Sequence, residues 1–194
     1  MTIEVVKYNP EYERGWLHCR VLSFLETQYF DNVYKEKEIY KNKSIELVAL
    51  ENDQVIGLID IEIEKSPASI CSDDRLLSAM LWHVAVHPDH QRKGVGERLL
   101  NEATSQLQLK GIRRIEAWTK EDAFVRDWYF KNNFQKFNSY YHVRLKGESV
   151  ALRSPTKGLR VCSAFSHYTG RDVELVREVA DKIEECVGLE KSLD

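Results

Sequence analysis

Apolar residues along the chain switch between two periods, and the switches divide it into strands and helices. Ile3, Val5 and Val6 alternate weakly within residues 2–7, a first strand that stops at the Asn9-Pro10 turn signal. Over residues 11–28 the spacing changes to Tyr12, Trp16, Cys19 and Leu22, one face of a helix, and residues 33–40 predict a short second helix. Residues 45–50 and 55–63 flank Asn52-Asp53, two residues that tolerate positive φ, which predicts an antiparallel hairpin. A loop over residues 66–75, marked by Pro67 and Asp73-Asp74, leads into residues 78–86, an apolar run suited to a central strand buried on both faces.

That run ends at His87-Pro88-Asp89. The segment QRKGVG, residues 91–96, then opens a helix that turns Val95, Leu99, Leu100, Ala103 and Leu107 to the core and is closed by a left-handed Gly111. Residues 112–119 form the next strand, parallel to the one before, because a helix joins them in a right-handed crossover. A helix over residues 122–131 ends at Asn132-Asn133, and residues 134–137 and 140–145 read as two closing strands. The tail predicts a strand over residues 160–165 and a helix opening at Thr169, with Asp172 placed as in a capping box. Its apolar stripe is Val173, Val176, Val179, Ala180, Ile183 and Val187, and Gly188 stops it. Together these elements predict an α/β protein whose mixed central sheet is flanked by helices, with an extra C-terminal strand-helix unit.

Composition narrows the classes this pattern allows. A chain of 194 residues can bury a sizeable core without a disulfide or metal staple. With 43% hydrophobic and 10% aromatic residues it lies outside the disordered class. No apolar run approaches the ~20 residues of a membrane span. The 28 Lys plus Arg against 31 Asp plus Glu leave a net charge of −3. That balance gives no general attraction to nucleic acid or membrane, so an anionic ligand must be met by a local basic cluster. Cys19, Cys71, Cys162 and Cys186 are scattered with no CxxC pair, and the N-terminus carries Glu4 in a strand-like pattern where a signal peptide would be basic and then apolar. Reduced thiols and a cytoplasmic location are expected.

The basic cluster lies at the start of the helix after the central strand. A strand, a glycine-containing loop and a helix make an anion site, because the helix N-terminus presents unpaired amides and a positive dipole end. Arg92 and Lys93 oppose that dipole unless an anion arrives, and Gly94 and Gly96 let the backbone come close to one. The Walker pattern is absent, and Gly94-Val95-Gly96 lacks the third glycine of a dinucleotide fingerprint.

The segment VAVHPDHQRKGVGERLL, residues 84–100, resembles the acyl-CoA motif Q/R-x-x-G-x-G/A of the GCN5-related N-acetyltransferases (GNAT), with Gln91, Arg92, Lys93, Gly94, Val95 and Gly96 at the matching positions. WYFKNNF, residues 128–134, is similar to that family's FYEKLGF helix motif, with Tyr129 at the tyrosine position. The resemblance implies a GNAT acyl-CoA N-acyltransferase fold with a mostly antiparallel sheet, its core over residues 1–145 and residues 146–194 as a strand-helix extension of the same domain. It implies acetyl-CoA as cosubstrate, no metal, and transfer of the acetyl group to a primary amine, of a small molecule or a protein, by direct attack in a ternary complex. Central-strand backbone at Val84 and Val86 would bind the thioester carbonyl, and Tyr129 would protonate the departing CoA thiolate. The base is open between Glu116, preferred, His83 and water.

Two positions depart from the pattern. Asn133 replaces a usual glycine but tolerates the left-handed conformation, and Asp122 stands where many members have asparagine and reads as a helix cap. His87 and His90 share HxxH spacing without a third ligand in sequence. The acceptor side is expected among Tyr12, Trp16, Tyr29, Phe30, Trp118, Tyr140 and Tyr141, with Asp31, Glu36 and Glu38 available to attract a cation. The C-terminal unit could extend the sheet or build a homodimer. The competing reading is a CoA-binding regulatory module without turnover, and the tyrosine at 129 favours the enzyme.

Overall fold

The computed structural model describes residues 2–146 and 161–194. In chain order it contains β1 (Glu4–Lys7), a 3-10 turn (Pro10–Tyr12), α1 (Glu13–Phe24), β2 (Ser44–Glu51), β3 (Gln54–Ile63), β4 (Ala79–Val86), α2 (Val95–Leu109) and β5 (Arg114–Thr119). Then come α3 (Ala123–Lys131), β6 (Gln135–Lys146), β7 (Ser163–Tyr168), the single turn α4 (Glu174–Arg177) and β8 (Lys182–Ser192). The strands form one sheet in the order β1-β2-β3-β4-β5-β8-β6-β7. Among the described residues only β4 and β5 run parallel, as the crossover through α2 requires; the other pairs are antiparallel.

Alternation along the strands divides the core in two. Ile45, Leu47, Ile59, Ile61, Leu81, Ile115 and Leu189 face α2, which contributes Val95, Leu99, Leu100, Ala103 and Leu107. Each fully buried leucine there stabilises the fold by about 1.5–3 kcal/mol. On the other face Val48, Leu50, Leu58 and Ala85 pack under Trp16 and Cys19 of α1. The β2–β3 turn has Asn52 at φ 50° and Asp53 at φ 61°, the doubly left-handed geometry expected of a tight hairpin, and Gly111 closes α2 at φ 76°.

Three expected elements are corrected. Residues 33–40 form no helix: the Lys37 amide donates to Glu13 Oε1 (3.0 Å), the Lys37 ammonium pairs with Glu46 and Asp60, and Ile39 is 95% exposed. Pairing with the sheet overrides helical spacing there. The two strands expected over residues 134–137 and 140–145 are one strand, β6, which begins at Gln135 and whose register on β8 shifts between Lys136 and Asn138. The helix expected from Thr169 is reduced to α4, with Leu175 and Val179 exposed, and its second half is the strand β8. Residue 160 of the expected strand lies outside the described residues, and the strand itself is β7.

β8 inserts between β5 and β6, so the C-terminal residues complete the sheet's interior rather than cover a face. Gly188 is the residue that permits this. A Cβ at Gly188 would lie 2.8 Å from Phe137 Cζ and 2.9 Å from Trp118 Cη2, whose rings meet edge to face over it.

Candidate active site

β4 and β5 pair only through Ala79–Ile115, Met80–Glu116 and Leu81–Ala117. Beyond Leu81, β4 stays on β3 as far as Val86, and β5 stays on β8 as far as Thr119. The sheet therefore opens as a wedge at the C-terminal ends of two parallel strands, where open α/β sheets admit ligands. Val84 and Val86 line the β4 side, their side chains packed on the α2 core and their β5-facing edge without a strand partner. The Val86 carbonyl accepts from Ser23 Oγ (2.8 Å) and Gln91 Nε2 (3.1 Å), which ties both α1 and the following loop to this edge.

In that loop Arg92 (φ 58°) and Gly94 (φ 79°) are both left-handed, a backbone pattern that turns successive amides toward one concavity. Nothing lies within 4 Å of the position a Gly94 Cβ would take. No side chain caps α2, so its first amides are left for a ligand. A Cβ at Gly96 would lie 3.3 Å from Trp128 Nε1, so the start of α2 is held against α3. Lys93 Nζ donates to the Asp89 carbonyl (2.8 Å), and Arg92 and Lys93 are exposed. Open left-handed backbone, an uncapped helix start and two exposed cations are the donor set that a diphosphate requires.

Tyr129 reaches this region from α3. It is 5% exposed, with its ring edge-on to Trp128 (5.1 Å) and Phe134 (5.0 Å), and among the described residues its hydroxyl has no hydrogen-bond partner. Burial, with a smaller contribution from Tyr29, pushes the phenol above its ordinary value and keeps it protonated. Asn133 closes α3 at φ 63°, as a glycine would. Asp122 holds the N-cap position, but its carboxylate accepts the Gln28 amide (3.1 and 3.2 Å) instead of capping its own helix. The Tyr29 hydroxyl accepts from the Lys120 amide (3.1 Å), and Lys120 Nζ donates to the Gln28 carbonyl (2.8 Å). Residues 25–43 are thereby fastened across the end of β5.

Glu116 departs from the expectation of a free base. Its carboxylate accepts from the Ser72 amide (2.9 Å), Ser72 Oγ (2.6 Å) and Trp118 Nε1 (2.8 Å), and it pairs with Arg114 Nη1 (2.8 Å). Burial opposes the anion, but the Ser72, Trp118 and Arg114 bonds outweigh it and hold the carboxyl below its ordinary value. A carboxylate so satisfied is a poor proton acceptor; it anchors residues 66–75 to β5. His83 stands on the stretch of β4 that pairs with β3 but no longer with β5. The β3–β4 register shifts at Trp82, and this bulge puts Trp82 and His83 on the same side of the sheet. Trp82 Nε1 donates to Glu62 Oε2 (3.0 Å), while His83 Nε2 bonds Glu38 Oε2 and the ring meets Trp16 (5.6 Å) and Tyr34 (6.0 Å) edge-on.

The expected acceptor residues separate. Trp16 is core, Trp118 packs on Phe137 and Tyr140, Phe30 is exposed, and Asp31 pairs with Arg144 of β6 (2.8 Å). His87 and His90 face each other with ring centres 5.6 Å apart, and His90 lies 3.2 Å from Glu51; no cluster of three metal-ligating side chains occurs among the described residues. The Glu38–His83 pair, Gln28 and Lys120 escape a motif reading, since each is defined by a partner distant in sequence.

A mostly antiparallel sheet that parts between its two parallel strands, with a left-handed glycine loop and an uncapped helix at the opening, defines the acyl-CoA N-acyltransferase class of fold. Residues 42–136 match the family described as Acetyltransferase (GNAT) domain. It is 24% identical over 110 residues to the GCN5-related N-acetyltransferase 1, chloroplastic, of Arabidopsis thaliana, covering 55% of this chain and 56% of that one. The fold is similar to a GNAT-family acetyltransferase from Streptococcus pneumoniae, with TM-score 0.64, 14% identity and both chains fully covered. It is also similar to the PaiA N-acetyltransferase of Thermoplasma acidophilum in complex with coenzyme A, with TM-score 0.56, 18% identity, and 71% and 92% of the two chains covered. The chain spans about a quarter and about half of the lengths of the curated relatives it matches.

Proposed function

We propose that the protein transfers an acetyl group from acetyl-CoA to a primary amine by direct attack in a ternary complex. The observation that carries this reading is the wedge past Leu81 with the residue 91–96 loop at the end of β4, together with the unpartnered hydroxyl of Tyr129, which interacts electrostatically with Tyr29 at the end of β5. The amides of the loop and of the first turn of α2, with Arg92 and Lys93, hold the diphosphate of CoA. The free β4 edge at Val84 and Val86 holds the thioester carbonyl, where oxyanion charge develops during attack. Tyr129 donates its proton to the sulfur as the C–S bond breaks. A phenol has an ordinary pKa of ~10 against ~8.5 for a thiol, and burial that disfavours the phenolate disfavours the thiolate beside it as well. Residues 25–43, fastened across β5, and β6 border the acceptor's side.

Release of CoA thiol from acetyl-CoA with a panel of amines tests this. The wild-type chain is expected to release thiol with at least one amine, and Tyr129→Phe to lose about 10²-fold in kcat with acetyl-CoA affinity unchanged. Binding without release for every amine, together with an indifferent Tyr129→Phe, would make the chain a CoA-binding module instead.

A further inference from the structure

Transfer to an ammonium acceptor removes two protons from its nitrogen, one before attack and one as the C–N bond forms; Tyr129 supplies the proton that the CoA sulfur takes, and the proton lost on attack has no acceptor among the groups placed at the site above. We propose that His83 Nδ1 takes that proton from the acceptor nitrogen and that Glu38 is its positioning residue, an assignment that rests on the acetyltransferase reading above.

Placement comes first. His83 is two residues past the last β4–β5 pair and adjoins Val84, on the edge assigned to the thioester carbonyl. The bulge at Trp82 turns it to the face that α1 and residues 25–43 cover. Its tautomer is set next. Glu38, a carboxylate on the same face, takes the Nε2–H, which leaves the lone pair on Nδ1, and among the described residues Nδ1 has no hydrogen-bond partner. The ring cannot swing, because the Trp16 ring meets it at 89° and the Tyr34 ring at 81°. A carboxylate that orients an imidazole and stabilises the imidazolium is the arrangement that makes histidine an effective base.

The surroundings suit a group that gains and loses charge. From α1 comes Arg20, from residues 25–43 come Tyr34, Lys37, Glu38 and Tyr40, from β2 Glu46, and from β3 Asp60, the cross-strand neighbour of His83. Asp60 Oδ1 is buried with no hydrogen-bond partner, an unmet acceptor beside the site where positive charge would form. Burial opposes the Glu38 anion, but the bond and charge of His83, with Tyr34 and Arg20, outweigh it and keep the carboxylate ionised. Glu116, by contrast, has every donor it can use.

In the step as proposed, the ammonium first gives one proton to the medium, and the nitrogen lone pair of the resulting free amine attacks the carbonyl carbon as the C–N bond forms. The nitrogen gives one proton to His83 Nδ1, the C–S bond breaks with its electron pair going to sulfur, and sulfur takes the Tyr129 proton. The phenolate recovers a proton from solvent, as does the medium from His83, so charge and atoms balance.

The test is the pH profile of kcat, by thiol release with acetyl-CoA and the best amine of the panel, for the full wild-type chain, His83→Gln and Glu38→Gln, with acetyl-CoA affinity and melting temperature measured alongside. His83→Gln is expected to lower kcat about 10²-fold, leave acetyl-CoA affinity unchanged and abolish the acidic limb of the profile. Glu38→Gln, which keeps the imidazole and alters a half-exposed residue, is expected to lower kcat about tenfold and move that limb to a different pH; it decides the matter if His83→Gln melts early. A kcat within about threefold and an unmoved limb in the folded variant would overturn the assignment while leaving the acetyltransferase reading intact. A wild-type chain that never releases thiol would remove both.

Discussion

Asp60 is fully buried between Lys37, 3.2 Å away, and the Tyr40 hydroxyl at 3.2 Å. Burial, only partly offset by Lys37 and His83, pushes its carboxyl up from 3.8 to about 6. Since the folded value lies above the unfolded one, the stability this group contributes is fully present below about pH 4 and is lost as pH rises through about 6. The stability of the wild type relative to Asp60→Asn, measured by urea denaturation, is therefore expected to fall between pH 4 and pH 6, by about 3 kcal/mol at most, and to be flat above pH 7. A difference that does not change with pH would contradict that environment. Single residues were readable from the chain where their chemistry is local: Gly111 and Asn133 are left-handed where spacing places them. Glu116 was not, because Ser72 and Arg114, which satisfy it, reach it through a loop and a strand whose juxtaposition no spacing encodes.

Among the elements, β8 departs furthest from its pattern. Val173, Val176, Val179, Ala180, Ile183 and Val187 repeat at helical spacing, yet Leu175 and Val179 stay exposed and Lys182–Ser192 is strand. A strand there bonds β5 on one side and β6 on the other, two ladders that outweigh the propensity of one amphipathic turn. The elements that fold through neighbours in sequence, the β2–β3 hairpin, α2 and α3, were all legible. Gly188 measures how tightly β8 is fitted. Gly188→Ala would press a methyl into Trp118 and Phe137, two rings with no slack, and is expected to destabilise the chain by about 1–3 kcal/mol in denaturant titration. An unchanged midpoint would mean that the rings yield.

Across the whole molecule, the sheet is two halves joined only along the first three pairs of β4 and β5, and the far half depends on the last strand of the chain. Residues 42–136, which match the family, end before β8. A chain ending at residue 181 keeps the motif and α3 but leaves β5 paired only with β4 and β6 only with β7, and removes Cys186, Val187, Leu189 and Leu193 from the core. It is expected to lose cooperative unfolding in urea, and a truncated chain that unfolds in the wild-type transition would show that the halves are independent. The fold class was therefore visible from the order of local units, whereas the wedge itself arises from where β4 and β5 stop pairing, a property of the assembled sheet.

The central claim is that this wedge holds acetyl-CoA through the left-handed loop at its edge. Calorimetric titration of acetyl-CoA into the wild-type chain and into Gly94→Val tests it most directly. Gly94 sits at φ 79° with nothing within 4 Å of the position a Cβ would take, so a valine there acts chiefly by disfavouring the left-handed backbone, at a cost of about 1–2 kcal/mol. The account predicts saturable one-site binding for the wild type and affinity lower by about tenfold in the variant, with the melting temperature lowered only by the few degrees that this strain costs. No binding by the wild type, or equal affinity in both chains, would contradict it.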